Sequence, residues 1–372
     1  MAKYRIAWMP GDGIGVDVMG AARIVLDKLA LAAEYPHADI GWHFWRTEGD
    51  PLPPRTLELL KTCNCALFGA ITSKPRDEAA AELIPDLQGQ GFEYRSPIVR
   101  LRQLFDLYVN LRPCKAYAGN PLNFRDDIDL IVFRENTEGM YGGVEYHPLP
   151  DALRAALTAH NLRMDRYKDV PADEIAVTLR IITQGGARRI VRAAFEYAQK
   201  FGYPTVTISE KPNVLRKTSG LMVRAARAMA QAYPAITLQE TNIDAQMVLA
   251  LRHPTDYGVL VTSNMFGDIL SDLTAELVGG LGFAPSANIG DGFAVFEPTH
   301  GSAPSLAGQY TANPMAMLIT VKLMLDWLGE AEKAAALDAA IADVIRAGEV
   351  RTFDFGGTHT TLEVAAAVAA RL

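Results

Sequence analysis

Short β-rich segments alternate with longer segments of helical periodicity through most of this chain. The helical segments are 15–34, 54–62, 185–201, 216–233 and 268–279, and the β-rich segments are YRIAWM (4–9), NCALFGAI (64–71), DLIVFRE (129–135), EIAVTLRII (174–182), TVTIS (205–209), ITLQETNI (236–243) and YGVLVTS (257–263). Strands separated by helices in this way usually form a sheet with parallel neighbours. The alternation therefore predicts an α/β fold with a substantial parallel component.

The length of the chain, 372 residues, is more than one hydrophobic core usually supports. One large domain plus a smaller one is therefore expected. No long linker, internal repeat or low-complexity segment marks a boundary between them. We therefore expect the second domain to be inserted within the first.

Composition and charge exclude several classes of function. A net charge of −7 argues against general binding to nucleic acids or acidic membranes. No apolar run is long enough to span a bilayer, and the N-terminal segment lacks the features of a secretory signal. Three cysteines in no metal-binding pattern are typical of free thiols in a reducing compartment. We therefore expect a cytoplasmic protein with no membrane or nucleic-acid partner.

A glycine-rich turn, PGDGIG (10–15), follows the first predicted strand and opens a helix. The glycines give the spacing GxGxG, and Val16 occupies the position of the third glycine in the dinucleotide fingerprint GxGxxG. A tight turn and a ligand-binding loop are equally compatible with this segment. A Rossmann cofactor site is not supported.

Four arginines, Arg100, Arg102, Arg112 and Arg134, occur within 35 residues, and the last two end or interrupt apolar segments. Surface arginines are the usual case, but arginine within a buried strand is normally paired. Guanidinium groups bind carboxylates in a bidentate manner. A polycarboxylate ligand would explain several arginines at one site of a net-acidic protein.

Acidic residues recur every four positions in GDILSDLTAEL (267–277), where Asp268, Asp272 and Glu276 would form one stripe of a helix. Helix capping and a solvated face explain Asp268, which follows Gly267 near the predicted helix start, but explain Asp272 less well. Two carboxylates at this spacing suit Mg²⁺ or Mn²⁺, with a third ligand from elsewhere. Asp244 is a candidate third ligand.

Three further segments contain reactive or ligand-binding residue types: RENTEGMYGGVEY (134–146) with Tyr141, SEKPNVLRKTSG (209–220) with Lys211, and FEPTHGSAPSLAGQYTANP (296–314). In the last segment, the backbone N–H groups of residues 300–303 could face a phosphate. Taken singly, each segment is equally compatible with an ordinary polar loop.

Taken together, these segments resemble the β-decarboxylating dehydrogenases, which include isocitrate, 3-isopropylmalate, homoisocitrate and tartrate/malate dehydrogenases. The resemblance extends from PGDGIG to FDFGG and rests on LRPCK, FRENTEGMY, EKPN, IDAQM, SNMFGDILSDL, GGLGFAPSANIG and EPTHGSAP in that order. It implies the isocitrate/isopropylmalate dehydrogenase fold, which is not a Rossmann fold. A large nucleotide- and substrate-binding domain would comprise 1–115 plus 255–372, and 116–254 would form the smaller domain with a dimer interface.

The resemblance also implies a role for each matching residue. Tyr141 and Lys211 match the catalytic pair, and Asp244, Asp268 and Asp272 match the metal ligands, with Asp244 and Lys211 supplied by the second subunit of a homodimer. The matching substrate-binding residues are Ser96, Ile98, Arg102, Arg112 and Arg134. The matching cofactor-binding residues are Thr72, Glu297, His300, Gly301, Ser302, Ala303 and Asn313.

The implied reaction is the metal-dependent oxidation and decarboxylation of a 3-substituted malate. Lys211 would take or relay the proton of the 2-hydroxyl group, and Tyr141 would protonate the resulting enolate. Around SPIVRLR (96–102), isocitrate enzymes typically have Ser-x-Asn, whereas Ile98-Val99 resembles the leucine pair of isopropylmalate enzymes. RENTEGMYGGVE and AITS (70–73) are more similar to isocitrate enzymes, which makes isocitrate the first candidate substrate.

Isopropylmalate, then homoisocitrate or tartrate/D-malate, are the alternative substrates. Ser305-Leu306 occupies the position where NAD enzymes typically have Asp-Ile and NADP enzymes can have Lys-Tyr. The acid that would repel a 2′-phosphate is missing, and so are the cations that would attract it. We therefore expect NAD. A non-catalytic regulatory subunit would have lost the tyrosine, the lysine or a metal-binding aspartate. A binding protein for organic acids would need the arginines but not Lys211 or Tyr141.

Overall fold

A ten-stranded mixed sheet runs through the computed structural model, which describes residues 2–372. The strands of the whole fold are β1 (Tyr4–Gly11), β2 (Ala33–Glu34), β3 (Cys65–Ala70), β4 (Val109–Lys115), β5 (Asp129–Glu135), β6 (Glu145–Tyr146), β7 (Val177–Thr178), β8 (Thr205–Glu210), β9 (Thr237–Asn242), β10 (Val259–Thr262), β11 (Pro285–Ile289) and β12 (Ala294–Pro298). The order in the sheet is β2-β1-β3-β12-β11-β4-β5-β10-β8-β9. Strands β6 and β7 form a separate antiparallel pair.

Parallel pairing dominates both ends of the sheet, and antiparallel pairing is confined to its centre. Strand β11 pairs antiparallel with both β12 and β4, and β4 pairs antiparallel with β5. The remaining neighbours are parallel. The predicted α/β class with a parallel component is therefore confirmed. The sheet is continuous from β4 through β5 and β10 to β8, and the domain boundaries at residues 115 and 254 stay a prediction.

Helices cover both faces of the sheet. They are α1 (Ile14–Lys28), α2 (Trp42–Glu48), α3 (Pro54–Leu60), α4 (Arg76–Ala81), α5 (Pro97–Leu104), α6 (Asp151–His160), α7 (Gln184–Phe201), α8 (Thr218–Ala230), α9 (Ile243–Arg252), α10 (Asn264–Glu276), α11 (Met315–Leu328), α12 (Ala331–Ala347) and α13 (Thr361–Ala369). The largest core cluster contains residues of α1, α7, α8, α11, α12 and α13. Two smaller clusters contain residues of α5 and of α10 on the other face. None of the helices within 2–372 has the length and hydrophobicity needed to cross a membrane.

Most predicted elements agree with the structure. The predicted helix 15–34, however, ends at Lys28, and residues 33–34 form strand β2. The segment 174–182 contributes only the two-residue strand β7, and strands β11 and β12 were not predicted. Helix α10 begins at Asn264, four residues before the predicted start at Asp268. The early start matters for the site, because it moves Asp268 from the helix end into the second turn.

The central strands present two different faces. Cross-strand partners in the antiparallel ladders share a face, so the registers place Asn110, Arg112, Arg134, Asn288 and Glu297 on one face. We call this the polar face. Val109, Leu111, Phe133, Ile289 and Phe296 alternate with them on the opposite, apolar face, where Val109, Leu111, Phe133 and Phe296 belong to the largest core cluster. The period-two alternation of side chains thus separates the candidate site from the main core.

Candidate active site

Two buried arginines of the polar face form the base of the candidate site. Arg112 on β4 is 8% exposed, and Arg134 on β5 is 2% exposed. Both guanidinium groups point towards helix α10. Arg134 donates to the side-chain oxygen of Asn264 at 2.8 Å, and Arg112 donates to the hydroxyl of Ser271 at 2.6 Å. Both arginines are therefore buried and paired, which agrees with their positions in apolar segments of the sequence.

Helix α10 supplies two carboxylates to these arginines. Asp268 forms ion pairs with Arg134 and, at 3.3 Å between Nη2 and Oδ1, with Arg112. Asp272, one turn later, lies 3.2 Å from Nη1 of Arg112. The hydroxyl of Tyr141 donates to Oδ2 of Asp268 at 3.0 Å. Two arginines, two aspartates and the tyrosine predicted from sequence therefore meet at one place.

The helix start corrects the sequence interpretation of Asp268. Ser263 is the N-cap residue, and Asp268 lies in the second turn, so the capping explanation is wrong. Gly267 lies within the helix rather than before it, and a Cβ there would come within 2.7 Å of Cβ and Cγ of Arg134. Glycine thus allows the helix to approach the arginine closely. The periodicity that places Asp268 and Asp272 on one stripe also predicts an apolar stripe of Ile269, Leu273 and Leu277 beside it, and this prediction is wrong at Ile269, which is 53% exposed.

The pKa shifts of the site differ in direction between the arginines and the acidic side chains. Burial, together with the charges of Arg112 and Arg102, lowers the pKa of Arg134. Burial raises the pKa of Tyr141, and the negative charge of Asp268 and the hydrogen bond to it act in the same direction. Burial also raises the pKa of Asp272, and Asp268 contributes to the same shift. Positive charge is therefore costly at Arg134, and a bound carboxylate would offset that cost.

Arg102 reaches the same face from α5. Its Nε donates to Oδ1 of Asn288 at 2.9 Å, and its Nη2 lies 3.3 Å from Oε1 of Glu297. Burial lowers the pKa of Arg102. Asn110 connects the arginines, because its Oδ1 accepts from Nε of Arg112 at 2.7 Å. Neither Asn110 nor Asn288 was predicted from the sequence. The signal was available in the alternation of polar residues with apolar ones along β4 and β11.

The remaining residues of α5 lie differently from Arg102. Ser96 precedes the helix as its N-cap residue. Ile98 is buried in a core cluster with Leu101 and Phe293. Arg100 is paired with Asp50. The predicted contact of Ile98 with a substrate substituent stays a prediction.

Lys211 and Asp244 form an ion pair with each other. Asp244 lies in the first turn of α9, and the hydrogen bond from Lys211 lowers the pKa of its carboxyl. In the described chain, no group of three or more His, Cys, Asp or Glu residues could hold a metal ion. The three predicted metal ligands Asp244, Asp268 and Asp272 are therefore not assembled within one chain.

The predicted nucleotide loop, residues 300–303, packs on the glycine-rich turn. Ile14 N–H donates to the carbonyl of Ser302 at 2.8 Å, and a Cβ on Gly13, which has a φ of +55°, would lie 2.0 Å from that oxygen. The hydroxyls of Thr72 and Ser302 are 2.7 Å apart. The glycine-rich turn thus positions the second loop, which explains its glycines without a Rossmann site.

His300 and Asn313 differ in whether their polar side-chain atoms have hydrogen-bond partners. Nε2 of His300 is buried and has no hydrogen-bond partner among residues 2–372, and burial lowers the pKa of this histidine. Asn313 donates to Asp354 at 2.9 Å and accepts from Met315 N–H at 3.0 Å. A buried unpartnered nitrogen is a candidate contact for a ligand. Gly301, with open space around it, would let a ligand approach the backbone.

Comparison with known proteins agrees with this geometry. The family model described as isocitrate/isopropylmalate dehydrogenase matches residues 5–368. A 3-isopropylmalate dehydrogenase of Methanothermobacter thermautotrophicus is 41% identical, covering 100% of this chain and 99% of that protein. Protein DlpA of Legionella pneumophila is 40% identical over 98% of this chain, which spans only 58% of DlpA.

The solved structures give the same result. The crystal structure of isocitrate dehydrogenase from Methylococcus capsulatus superimposes with a TM-score of 0.85, at 34% identity, and the match covers 99% of each chain. The fold, the convergence of the polar residues and the match over nearly the full length point to one conclusion. The chain belongs to the isocitrate/isopropylmalate dehydrogenase family of oxidoreductases.

Proposed function

We propose that the protein catalyses the NAD-dependent oxidative decarboxylation of a 3-substituted malate, with isocitrate, converted to 2-oxoglutarate and CO₂, as the first candidate substrate. The observation that carries this proposal is the convergence of Arg102, Arg112 and Arg134 on one face of the sheet beside Asp268 and Tyr141. Relatives named as isopropylmalate and isocitrate/homoisocitrate dehydrogenases support the same class of reaction.

The arginines would bind the carboxylates of the substrate. Arg112 and Arg134 are buried against α10, so their guanidinium planes are fixed before a ligand arrives. A preformed array loses little side-chain entropy on binding. The lowered pKa of Arg134 adds to the affinity, because the substrate charge would stabilise its protonated form.

The aspartates of α10 fit a divalent cation. Asp268 and Asp272 present hard oxygen ligands one helical turn apart, and the exposed Asp272 can be reached from solvent. Asp268, Asp272 and Asp244 would hold Mg²⁺ or Mn²⁺. When bound, the cation would supply the positive charge that lowers the pKa of a substrate hydroxyl.

Tyr141 and Lys211 would move the protons. The hydroxyl of Tyr141 faces the site, and its raised pKa keeps it protonated at neutral pH, as an acid must be before it donates. Lys211 would accept or relay the proton of the substrate hydroxyl. Within one chain, the ammonium group of Lys211 forms an ion pair with Asp244.

The loop at residues 300–303, with Thr72, Glu297 and Asn313, would bind NAD. The unpartnered Nε2 of His300 and the open backbone at Gly301 are the features that fit a nucleotide there. When bound, the nicotinamide would supply the hydride acceptor. No cationic residue occupies Ser305-Leu306, where a 2′-phosphate would need one, and this favours NAD over NADP.

A homodimer with shared sites is part of the proposal. Exposed apolar residues of α9 and α10, namely Val248, Leu251 and Ile269, favour contact with a second chain. The second chain would also bring its Asp244 and Lys211 close to Asp268 and Asp272, which Asp244 does not join within one chain. We further propose a cytoplasmic location, because Cys65 and Cys114 are buried free thiols.

The direct test supplies the purified chain with Mn²⁺, NAD and a panel of 3-substituted malates, and follows NADH. We expect turnover of isocitrate or another member of the panel. Asp268→Asn should abolish it, whereas Asp343→Asn should not, because Asp343 pairs only with the exposed Arg346. No turnover of any member would contradict the reaction, and activity in Asp268→Asn would contradict the site.

Subunit complementation tests the shared site. Chains with Asp268→Asn and chains with Lys211→Ala should each be inactive. If Lys211 serves the partner's site, random mixed dimers regain one intact site in every heterodimer, or about a quarter of the wild-type activity. Mixtures that stay inactive although heterodimers form would show that each site uses its own lysine.

A further inference from the structure

Asn288 of β11 is the most connected polar side chain of the polar face. It is fully buried, and its Oδ1 accepts three hydrogen bonds: from Arg102 Nε at 2.9 Å, from Asn110 Nδ2 at 3.0 Å and from Asn136 Nδ2 at 3.0 Å. Its Nδ2 donates to Oε1 of Glu297 at 2.7 Å. One amide therefore contacts a candidate substrate-binding arginine and a candidate cofactor-binding carboxylate.

The chemistry of its neighbours fixes the orientation of this amide. A guanidinium group only donates hydrogen bonds, and a carboxylate only accepts them. The oxygen of Asn288 must therefore face Arg102, and its nitrogen must face Glu297. Flipping the amide would place a donor against a donor and an acceptor against an acceptor, so the side chain has one favourable orientation.

Asn110 extends the same connection to a second arginine. Its Nδ2 donates to Asn288 and to Ser286 at 2.9 Å, and its Oδ1 accepts from Nε of Arg112. Arg112 fixes the orientation of Asn110 by the same argument. A continuous chain of oriented amides thus runs from Glu297 through Asn288 and Asn110 to Arg112, with Arg102 as a branch.

We propose that Asn288 is a positioning residue that holds Arg102 directly, and Arg112 through Asn110, in the geometry that binds the substrate carboxylates. This inference rests on the proposed function. A neutral amide oxygen orients a guanidinium without neutralising it, unlike the carboxylates of Asp268 and Asp272. Arg102 is already paired with Glu297, at 3.3 Å from its Nη2, so the bond to Asn288 orders the guanidinium group without adding a second negative charge beside it.

Replacement by the similarly sized leucine tests this role. Asn288→Leu removes the acceptor of three buried donors, and we expect a tenfold to hundredfold weaker affinity for isocitrate, with a much smaller change in kcat at saturation. The measurements are the Kd for isocitrate by calorimetry without cofactor, and KM and kcat with NAD and Mn²⁺. Asn110→Leu should show the same split with an unchanged KM for NAD, because Asn110 does not contact Glu297.

Asn120→Leu is the matched control. Asn120 is also buried, but it contacts Val278 and Leu122 outside this network. The substitution should therefore lower the thermal unfolding temperature without weakening isocitrate binding. Equal losses in Asn120→Leu and Asn288→Leu, or an unchanged Kd in folded Asn288→Leu, would overturn the proposal. If Asn288→Leu does not fold, Asn288→Ser replaces it with the same expected direction.

The outcome for the wild type separates this proposal from the proposed function. Isocitrate binding without turnover of any panel member would contradict the proposed reaction, and the Kd comparison would still decide the role of Asn288. If another panel member binds more tightly than isocitrate, that acid becomes the probe. Binding of no member by the wild type would overturn both proposals.

Discussion

The polar and apolar faces of the central sheet are built by the same four strands and behave as opposites. On the apolar face, Leu111 and Phe133 pack into the largest core cluster against α7 and α11. On the polar face, their chain neighbours Arg112 and Arg134 are as deeply buried but are held by hydrogen bonds and ion pairs. Neighbouring residues of one strand therefore differ in role: one packs in the apolar core, and the next forms ion pairs on the opposite face.

The apolar face contains residues that stabilise the fold, and the polar face contains residues of the proposed site. Burial of apolar surface stabilises the fold. Burial of three guanidinium groups near one another opposes folding, as the lowered pKa values of Arg102 and Arg134 indicate. Shifted pKa values in a buried cluster of this kind are typical of functional sites, which supports the proposed binding role. Substitutions on the two faces should therefore affect different measurements.

The largest effect on stability is expected at Phe133. Phe133→Ala removes a buried ring from the apolar face, and we expect the free energy of unfolding to fall by about 3–5 kcal/mol, because a cavity replaces lost contacts. Urea denaturation measures this change. The kcat/KM of the molecules that remain folded should stay near the wild-type value. A thousandfold loss of kcat/KM in folded protein would show that the faces are not separable.

The next residue should give the opposite result. Arg134→Leu removes a group proposed to bind a substrate carboxylate, and we expect kcat/KM to fall by roughly a hundredfold to a thousandfold. The free energy of unfolding should fall by less than in Phe133→Ala, because Asp268 keeps its ion pair with Arg112 and the repulsion by Arg102 and Arg112 is lost together with the bonds to Asn264 and Asp268. Unfolding of Arg134→Leu at room temperature would refute the comparison.

A smaller effect is expected where α10 touches the polar face. Gly267→Ala places a Cβ 2.7 Å from Arg134, so the helix or the arginine must shift. We expect a stability loss of about 1–3 kcal/mol and a rise in the KM of the substrate. Gly185→Ala in α7, where a Cβ meets nothing nearer than 3.8 Å, should leave the KM unchanged and stability unchanged or slightly higher, because alanine favours a helix more than glycine does. Equal results for the two variants would contradict the close approach.

The smallest effect is a pH dependence at His300, away from both faces. Burial lowers the pKa of His300 below its ordinary 6.5 in the folded chain. Below that pH the unfolded chain therefore takes up a proton that the folded chain does not, and stability falls as the pH drops. Unfolding free energies at about pH 7 and about pH 5.5 should differ more for the wild type than for His300→Gln, by at most about 1.4 kcal/mol per pH unit. An equal pH dependence would show that His300 accepts its proton when folded.

Several parts of the fold and the site were predictable from local patterns. Short β-rich segments identified β1, β5, β8 and β10, and helical periodicity identified α1, α7 and α8. Arginine within apolar strands indicated the buried guanidinium groups of Arg112 and Arg134. Strands β11 and β12 were missed because each follows a segment with glycines and includes polar residues among its apolar ones.

The start of α10 shows why local signals fail at element ends. Gly267 resembled a residue that precedes a helix, because an isolated glycine has low helix propensity. Glycine is needed at this position because Arg134, 133 positions earlier in the sequence, approaches the helix closely. A tertiary contact therefore outweighed the local preference, and Asp268 became part of the ion-pair cluster instead of a cap.

The sequence by itself determined the α/β class, the order of the elements and the types of reactive group that the family resemblance could match. Only the tertiary structure decided that Asn288 contacts Arg102 across 186 positions, that Arg100 is paired with Asp50, and that Lys211 and Asp244 pair away from the α10 aspartates. The physical reason is that periodicity specifies which face a side chain occupies. Which side chains meet on that face depends on the register and order of strands that are distant in sequence.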